Sequence, residues 1–96
     1  MLFHVTHTHT EHTCPVNNPA VLSETFGKVY SSLTENGVEV IGWWGDPPAH
    51  QMLFVLQADS IEAIYNGLQP IIDKGTASVR PVTDAATKIK ALIGEA

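Results

Sequence analysis

From Leu2 to His9 the chain reads Leu-Phe-His-Val-Thr-His-Thr-His, alternating in side-chain character and rich in β-branched and aromatic types, which predicts a strand over residues 2 to 9. The polar, proline-containing stretch Thr10 to Asn18 then interrupts it as a loop. Asn18 followed by Pro19 supplies an N-cap and a favoured first-turn proline. Val21, Leu22, Phe26, Val29 and Leu33 fall at helical spacing, and Asn36-Gly37 is a stop, so a helix is expected from about 19 to 36. Val38 to Trp44 and Gln51 to Gln57 read as two strands joined by the hairpin-type connection Gly45-Asp46-Pro47-Pro48-Ala49-His50. Asp59 with Glu62 three residues on predicts a capping box and a second helix from near Ser60, covering Ile61, Ala63, Ile64 and Leu68 and reaching toward Ile71 and Ile72, with Pro70 ending or kinking it. Thr76 to Val82 alternates as a fourth strand, and Asp84 to Ile93 is a short C-terminal helix.

The resulting order, βαββαβ plus a tail helix, is the ferredoxin-like arrangement: one α+β domain over residues 1–96, with a four-stranded antiparallel sheet and both main helices on one face. The other face would meet water, yet strands two and three are apolar on both sides. Met52, Phe54 and Leu56 oppose Leu53 and Val55, while Val38, Val40 and Trp44 oppose Ile41 and Trp43. A doubly apolar sheet needs a second cover. The chain's own sheet in a second copy is the economical one, so a homodimer or higher homo-oligomer is expected.

Length and charge support that expectation and remove others. A chain of 96 residues buries only roughly 60 to 65% of its unfolded surface, so contacts with a partner help it. Five Lys and Arg against ten Asp and Glu give a net charge of −5, which argues against nucleic acid and against an anionic membrane, both of which select clustered basic surface. No apolar run approaches the ~20 residues of a membrane span, no signal-type segment opens the chain, and the single cysteine fits a reducing cytoplasm, the expected location.

Candidate chemistry is concentrated at the start. Four of the five histidines and the only cysteine lie within FHVTHTHTEHTC, as His4, His7, His9, His12 and Cys14. Imidazole and thiolate are the donors that late first-row divalent metals prefer, so zinc, nickel, copper or iron is the cofactor class expected. His7 and His9 share one strand face about 6.5 to 7 Å apart, close enough for two rings to reach one ion, and His4 faces the other way. In the ferredoxin-like sheet strand one lies antiparallel beside strand three, which brings His50 to the edge that carries His9, the loop with His12 and Cys14, and the start of helix one. The metal-ligand candidates are therefore His7, His9, His12, Cys14 and His50, with Glu11 as an oxygen donor or general base inside the same run. The alternative is a polar strand end whose histidines are satisfied hydrogen-bond donors. Cys14, beside His12 and four residues before the N-cap, also admits a nucleophilic or redox reading, weakened by the lack of a resolving cysteine. The remaining carboxylates read as helix caps or solvated faces, and neither a phosphate loop nor a pair of zinc-finger cysteines is present.

The chain resembles the dimeric α+β-barrel superfamily. The opening Met1-Leu2-Phe3-His4-Val5 is similar to that of the muconolactone isomerase family. His7-Thr8-His9, Cys14-Pro15, Asp46-Pro47-Pro48-Ala49-His50 and Gly75-Thr76-Ala77-Ser78-Val79-Arg80-Pro81-Val82 are similar to uncharacterised bacterial and archaeal members. The resemblance implies two sheets packed face to face with a pocket in each protomer. Trp43 and Trp44 face opposite ways on strand two, so one packs under the helices and the other would line that cavity and contact any organic ligand or cofactor. Two functions then stand side by side: a small dimeric metal-binding protein or mononuclear metalloenzyme, and a cofactor-independent isomerase or oxygenase using a histidine base on a small molecule.

Overall fold

The computed structural model describes residues 1–94. Four strands, β1 (Leu2–Thr8), β2 (Glu39–Asp46), β3 (Gln51–Gln57) and β4 (Thr76–Val82), form one antiparallel sheet in the order β2-β3-β1-β4. This is the ferredoxin-like α+β order expected from the pattern. β1 lies at the centre, with Val5 opposite Phe54 on one side and Val79 on the other. Alternation along β1 sends Phe3, Val5 and His7 under the helices, where they are buried with Phe54 and Leu56 of β3 and with Val29, Leu33, Ile64, Leu68 and Ile71 of the helix layer. One member of that series is polar, and it is a histidine.

The first helix is not the continuous 19–36 segment. Asn18 caps it through Oδ1, which accepts from the Val21 amide, and α1 (Pro19–Glu24) ends at Thr25. There the hydroxyl bonds back to the Val21 carbonyl at 2.8 Å and the backbone leaves helical angles (φ −111°, ψ −93°). A 3-10 turn over Phe26–Lys28, containing the weak helix former Gly27, leads into α2 (Val29–Glu35). A uniform helical stripe does not report this break, and the break matters because it lowers Phe26 into the core beside the end of β1. Gly37, at φ +76°, ends α2 as expected. The second helix, α3 (Ile61–Gly67), is capped by Ser60, whose Oγ accepts from the Ala63 amide, rather than by Asp59. Its extended backbone makes Ser60 the last residue before the helix, which shifts the cap one place along. A 3-10 turn at Gln69–Ile71 follows with Pro70 inside it.

On the far face, Leu2, His4 and Thr6 lie between Gln57, Val55 and Leu53 of β3 and Val82, Arg80 and Ser78 of β4. Among the described residues no helix packs on that face as α2 and α3 pack on the other. Trp44 lies there, exposed and folded over Gly42, whose Cα has no room for a side chain beneath the indole. A bulge between Val40 and Gly42 sets Ile41 outward and exposed. The terminal helix α4 (Ala85–Leu92) is exposed along its whole length, and its apolar residues Ile89, Leu92 and Ile93 form one stripe. Among the described residues no helix is long and apolar enough to cross a membrane.

The end of β1 is seated against the residue that opens β4. A Cβ on Gly75 would overlap the Thr8 carbonyl oxygen and lie 2.9 Å from Cε1 of His7. Gly75→Ala is expected to destabilise the fold by about 1–3 kcal/mol, as overpacking does. Urea denaturation checks it: an unchanged midpoint would mean that this approach is looser than described.

Candidate metal centre

His9 is the first residue past β1, and its backbone still belongs to the sheet: the His9 amide donates to the carbonyl of His50 at 2.9 Å. His50 reaches that position through the hairpin. Asp46 ends β2 and accepts from the Ala49 amide, Pro47–Ala49 make a 3-10 turn, and His50 closes it with its amide on the Pro47 carbonyl. It does so at φ +53°, ψ +42°, the one left-handed non-glycine backbone among the described residues. A histidine held there is conformationally costly, as is common at functional positions.

The loop after His9 folds on threonines. The Thr13 amide donates to the Thr10 carbonyl, the Thr10 amide to Thr13 Oγ1, and the His12 amide to Thr10 Oγ1. This tight turn throws Glu11 and His12 outward and returns the chain as Cys14 and buried Pro15. Donor atoms of His9, Cys14 and His50 consequently lie within 4.8 Å of one another, and this is the metal-compatible group among the described residues. The His9 and His50 rings meet edge to face with centroids 5.1 Å apart. Tetrahedral zinc needs donors about 3.3 to 3.6 Å apart, so small side-chain rotations would close the set on an ion.

The other candidates fall elsewhere. His7 lies behind His9 with ring centroids 6.2 Å apart; it is fully buried and directs Nε2 to the Ile71 carbonyl at 3.2 Å. His12 is exposed, 3.7 Å from the Glu11 carboxylate. Trp43 stacks on Phe54 beneath the helices at 5.0 Å, and Trp44 sits on the far face. Neither tryptophan lines the cavity that borders His9, Cys14 and His50. That cavity, of about 250 Å³, is walled by Pro15, Val16, Leu22, Phe26, Pro47 and Met52. In the sequence these apolar residues read as helix stripe, loop and hairpin, and the break at Thr25 that turns Phe26 inward has no signature of its own.

Electrostatics favours neutral imidazoles. Burial lowers the proton affinity of His7, with the Ile71 carbonyl partly opposing it, and His7 as an Nε2–H donor leaves its buried Nδ1 without a partner among the described residues. Burial also lowers that of His9, reinforced by repulsion from His50 and then His7. The buried Nδ1 of His9 likewise has no partner. An unprotonated imidazole at His9, beside the Cys14 thiol, is the state that a metal ion requires of such a ligand.

Fold and site together define a small ferredoxin-like α+β protein with a His/Cys/His cluster at one end of its sheet, opening on an apolar pocket. The chain belongs to the DUF3303 family, a domain of unknown function whose model matches residues 1–95. No curated protein matches it. Among solved structures the chain is similar to protein Atu4242 from Agrobacterium tumefaciens, with a TM-score of 0.45 and 14% identity, covering 88% of this chain and 95% of that one.

The two depressed histidines set a stability window. The unfolded chain binds their protons near 6.5 and the folded chain binds them only at lower pH, so the unfolded state holds more protons in between. Stability of the metal-free protein is therefore full above about pH 7 and is lost as pH falls through 6.5 and below. Asp84, held low by its cap bonds to Thr87, adds loss only below its ordinary value of 3.8. Urea midpoints measured from pH 7.5 to 5 should fall and should flatten in His7→Leu; a midpoint that rises on acidification would contradict the neutral, buried assignment.

Proposed function

We propose that this protein binds a divalent transition metal through His9, Cys14 and His50, as a small metal-binding protein or mononuclear metalloenzyme. The carrying observation is the convergence of three donor atoms within 4.8 Å from a strand end, a loop and a hairpin. The donor set fits the ion class: two neutral imidazoles and one thiolate suit zinc, nickel, copper or iron, and they leave a fourth position for water or a ligand. In such a site the bound ion would supply Lewis-acid or water-activating chemistry. The chain's own part is to keep His9 unprotonated, to hold His50 through its backbone bond to His9, and to keep the cavity beside them apolar.

The test is elemental analysis of tag-free protein, followed by anaerobic titration with Co²⁺. Near-stoichiometric binding with a thiolate-to-cobalt band is expected. His9→Ala, Cys14→Ser and His50→Gly should each weaken it by more than about tenfold, while His12→Ala and His4→Ala leave it unchanged. Glycine is chosen at His50 because it accepts the left-handed backbone. Equal losses from His12→Ala, or no uptake at all, would sink the assignment. One observation favours a second reading: His9, unprotonated at the wall of an apolar pocket, is also in the state of a general base. Turnover of a small molecule that survives chelation would select that reading.

A homodimer belongs to the same proposal. Among the described residues two apolar surfaces lack a helix or strand over them, the face bearing half-buried Leu53 and Val55 with exposed Trp44, and the stripe Ile89, Leu92 and Ile93 at α4. A second copy supplies both at once, since a two-fold interface presents the same patches from each side. Sedimentation should give about twice the 10.4 kDa chain mass at micromolar concentration. A well-folded monomer, with Trp44→Lys leaving stability and state unchanged, would remove this part.

A further inference from the structure

The proposed metal set occupies one wall of a cavity whose remaining walls are almost wholly apolar. His9, Cys14 and His50 all border it, so an ion held by the three sits at its edge. Among the described residues no further His, Cys, Asp or Glu joins the three within metal-ligand spacing, which leaves the fourth position to something that enters. Entry from the loop side leads past Val16 and Leu22, which are 68% and 38% exposed and form the rim. Phe26 and Met52 close the interior.

The cavity's size and chemistry restrict the entrant. A dry cavity of about 150 Å³ takes benzene, and pockets for drug-sized ligands begin near 300 Å³. At about 250 Å³ this one suits a single ring with a short substituent. Asp46 is the carboxylate at its border and is occupied in capping the Pro47–Ala49 turn, while a divalent ion held by one thiolate and two imidazoles would keep a net positive charge toward a fourth donor. We infer that the fourth metal position opens into this cavity and takes the donor atom of a small, one-ring-sized apolar molecule whose single polar group is a sulfur or nitrogen ligand, a thiol releasing its proton to solvent as it binds. This inference rests on the metal-binding reading and specifies what that site recognises.

The experiment separates the two. Cobalt uptake by the full chain, read from its thiolate band, tests the metal reading alone. The cobalt protein is then titrated anaerobically with benzyl mercaptan and with 2-mercaptoethanol, thiols of similar acidity that differ in their tails. If the fourth position faces the cavity, the ligand-field bands shift with both and benzyl mercaptan binds at least about tenfold more tightly, because its ring leaves water for apolar walls. Leu22→Asp and Val16→Asp, made at exposed rim positions, should each cut that preference to about twofold or less while the thiolate-to-cobalt band is retained. Equal affinity for the two thiols with cobalt binding intact would overturn the inference and leave the metal site standing. A preference that survives both rim variants would place the ring elsewhere and overturn it too, and absence of cobalt uptake would overturn both readings.

Discussion

The hydrogen bond from the His9 amide to the His50 carbonyl is the constraint on which the site depends. It continues the β1–β3 ladder one residue past the Thr8–Gln51 pair and so joins a strand end to a hairpin corner. Without it, neither backbone has a reason to stop where it does. The hairpin must present a carbonyl outward at that point, and the left-handed His50 does so after a 3-10 turn capped by Asp46. The strain at His50 is sustained because the ladder bond, the turn bond to Pro47 and the pairing of Gln51 all fix the same corner. Two imidazoles are thus brought together by main-chain geometry, and side-chain packing needs only to orient them.

A second constraint lies one strand position earlier. The core face of β1 runs Phe3, Val5, His7, and the last of these places a ring with two polar nitrogens where an aliphatic side chain would pack. The cost is reduced on one side by the Ile71 carbonyl, which accepts from Nε2 as well as from the Lys74 amide. On the other side it is not, and Nδ1 remains without a partner. Retaining a histidine there lowers stability relative to an apolar residue and makes it depend on pH. Phe26 touches both rings, edge-on to His7 at 5.7 Å and tilted on His9 at 5.3 Å. The break in the first helix, the polar core position and the pocket wall are consequences of one local packing problem.

Much of this was legible from residue order. Period-two alternation located all four strands to within two residues, because each is amphipathic or wholly apolar and the segments between them carry proline, glycine or asparagine. Adjacency of β1 and β3 follows from the ferredoxin-like order, and it alone joins His50 to a cluster 36 or more residues away. What alternation cannot distinguish is a shared face from a shared destination. His7 and His9 do lie on one face, yet one is fixed under the helices by Ile71 while the other emerges at the edge. Nor does a run of potential ligands reveal which way a turn throws each of them. The hydrogen bonds of Thr10 and Thr13 within residues 10 to 13 decide that His12 faces water and that Cys14 returns.

Drawing the three donors from separate segments has a thermodynamic consequence. His9 is fixed by the sheet and His50 by the hairpin, but Cys14 is carried by a loop whose internal bonds are short-range and exposed. An ion bound to all three would therefore act chiefly on the loop, tying Thr10–Asn18 to the sheet edge and stiffening the Pro15–Val16 wall of the cavity. Metal affinity and pocket shape would then be coupled through one segment, since order imposed by an ion would lower the entropic cost of filling the cavity, and a filled cavity would favour the loop arrangement that holds Cys14. Because linkage is reciprocal, an apolar molecule packed against Leu22 and Met52 would tighten the metal even where it makes no bond to it.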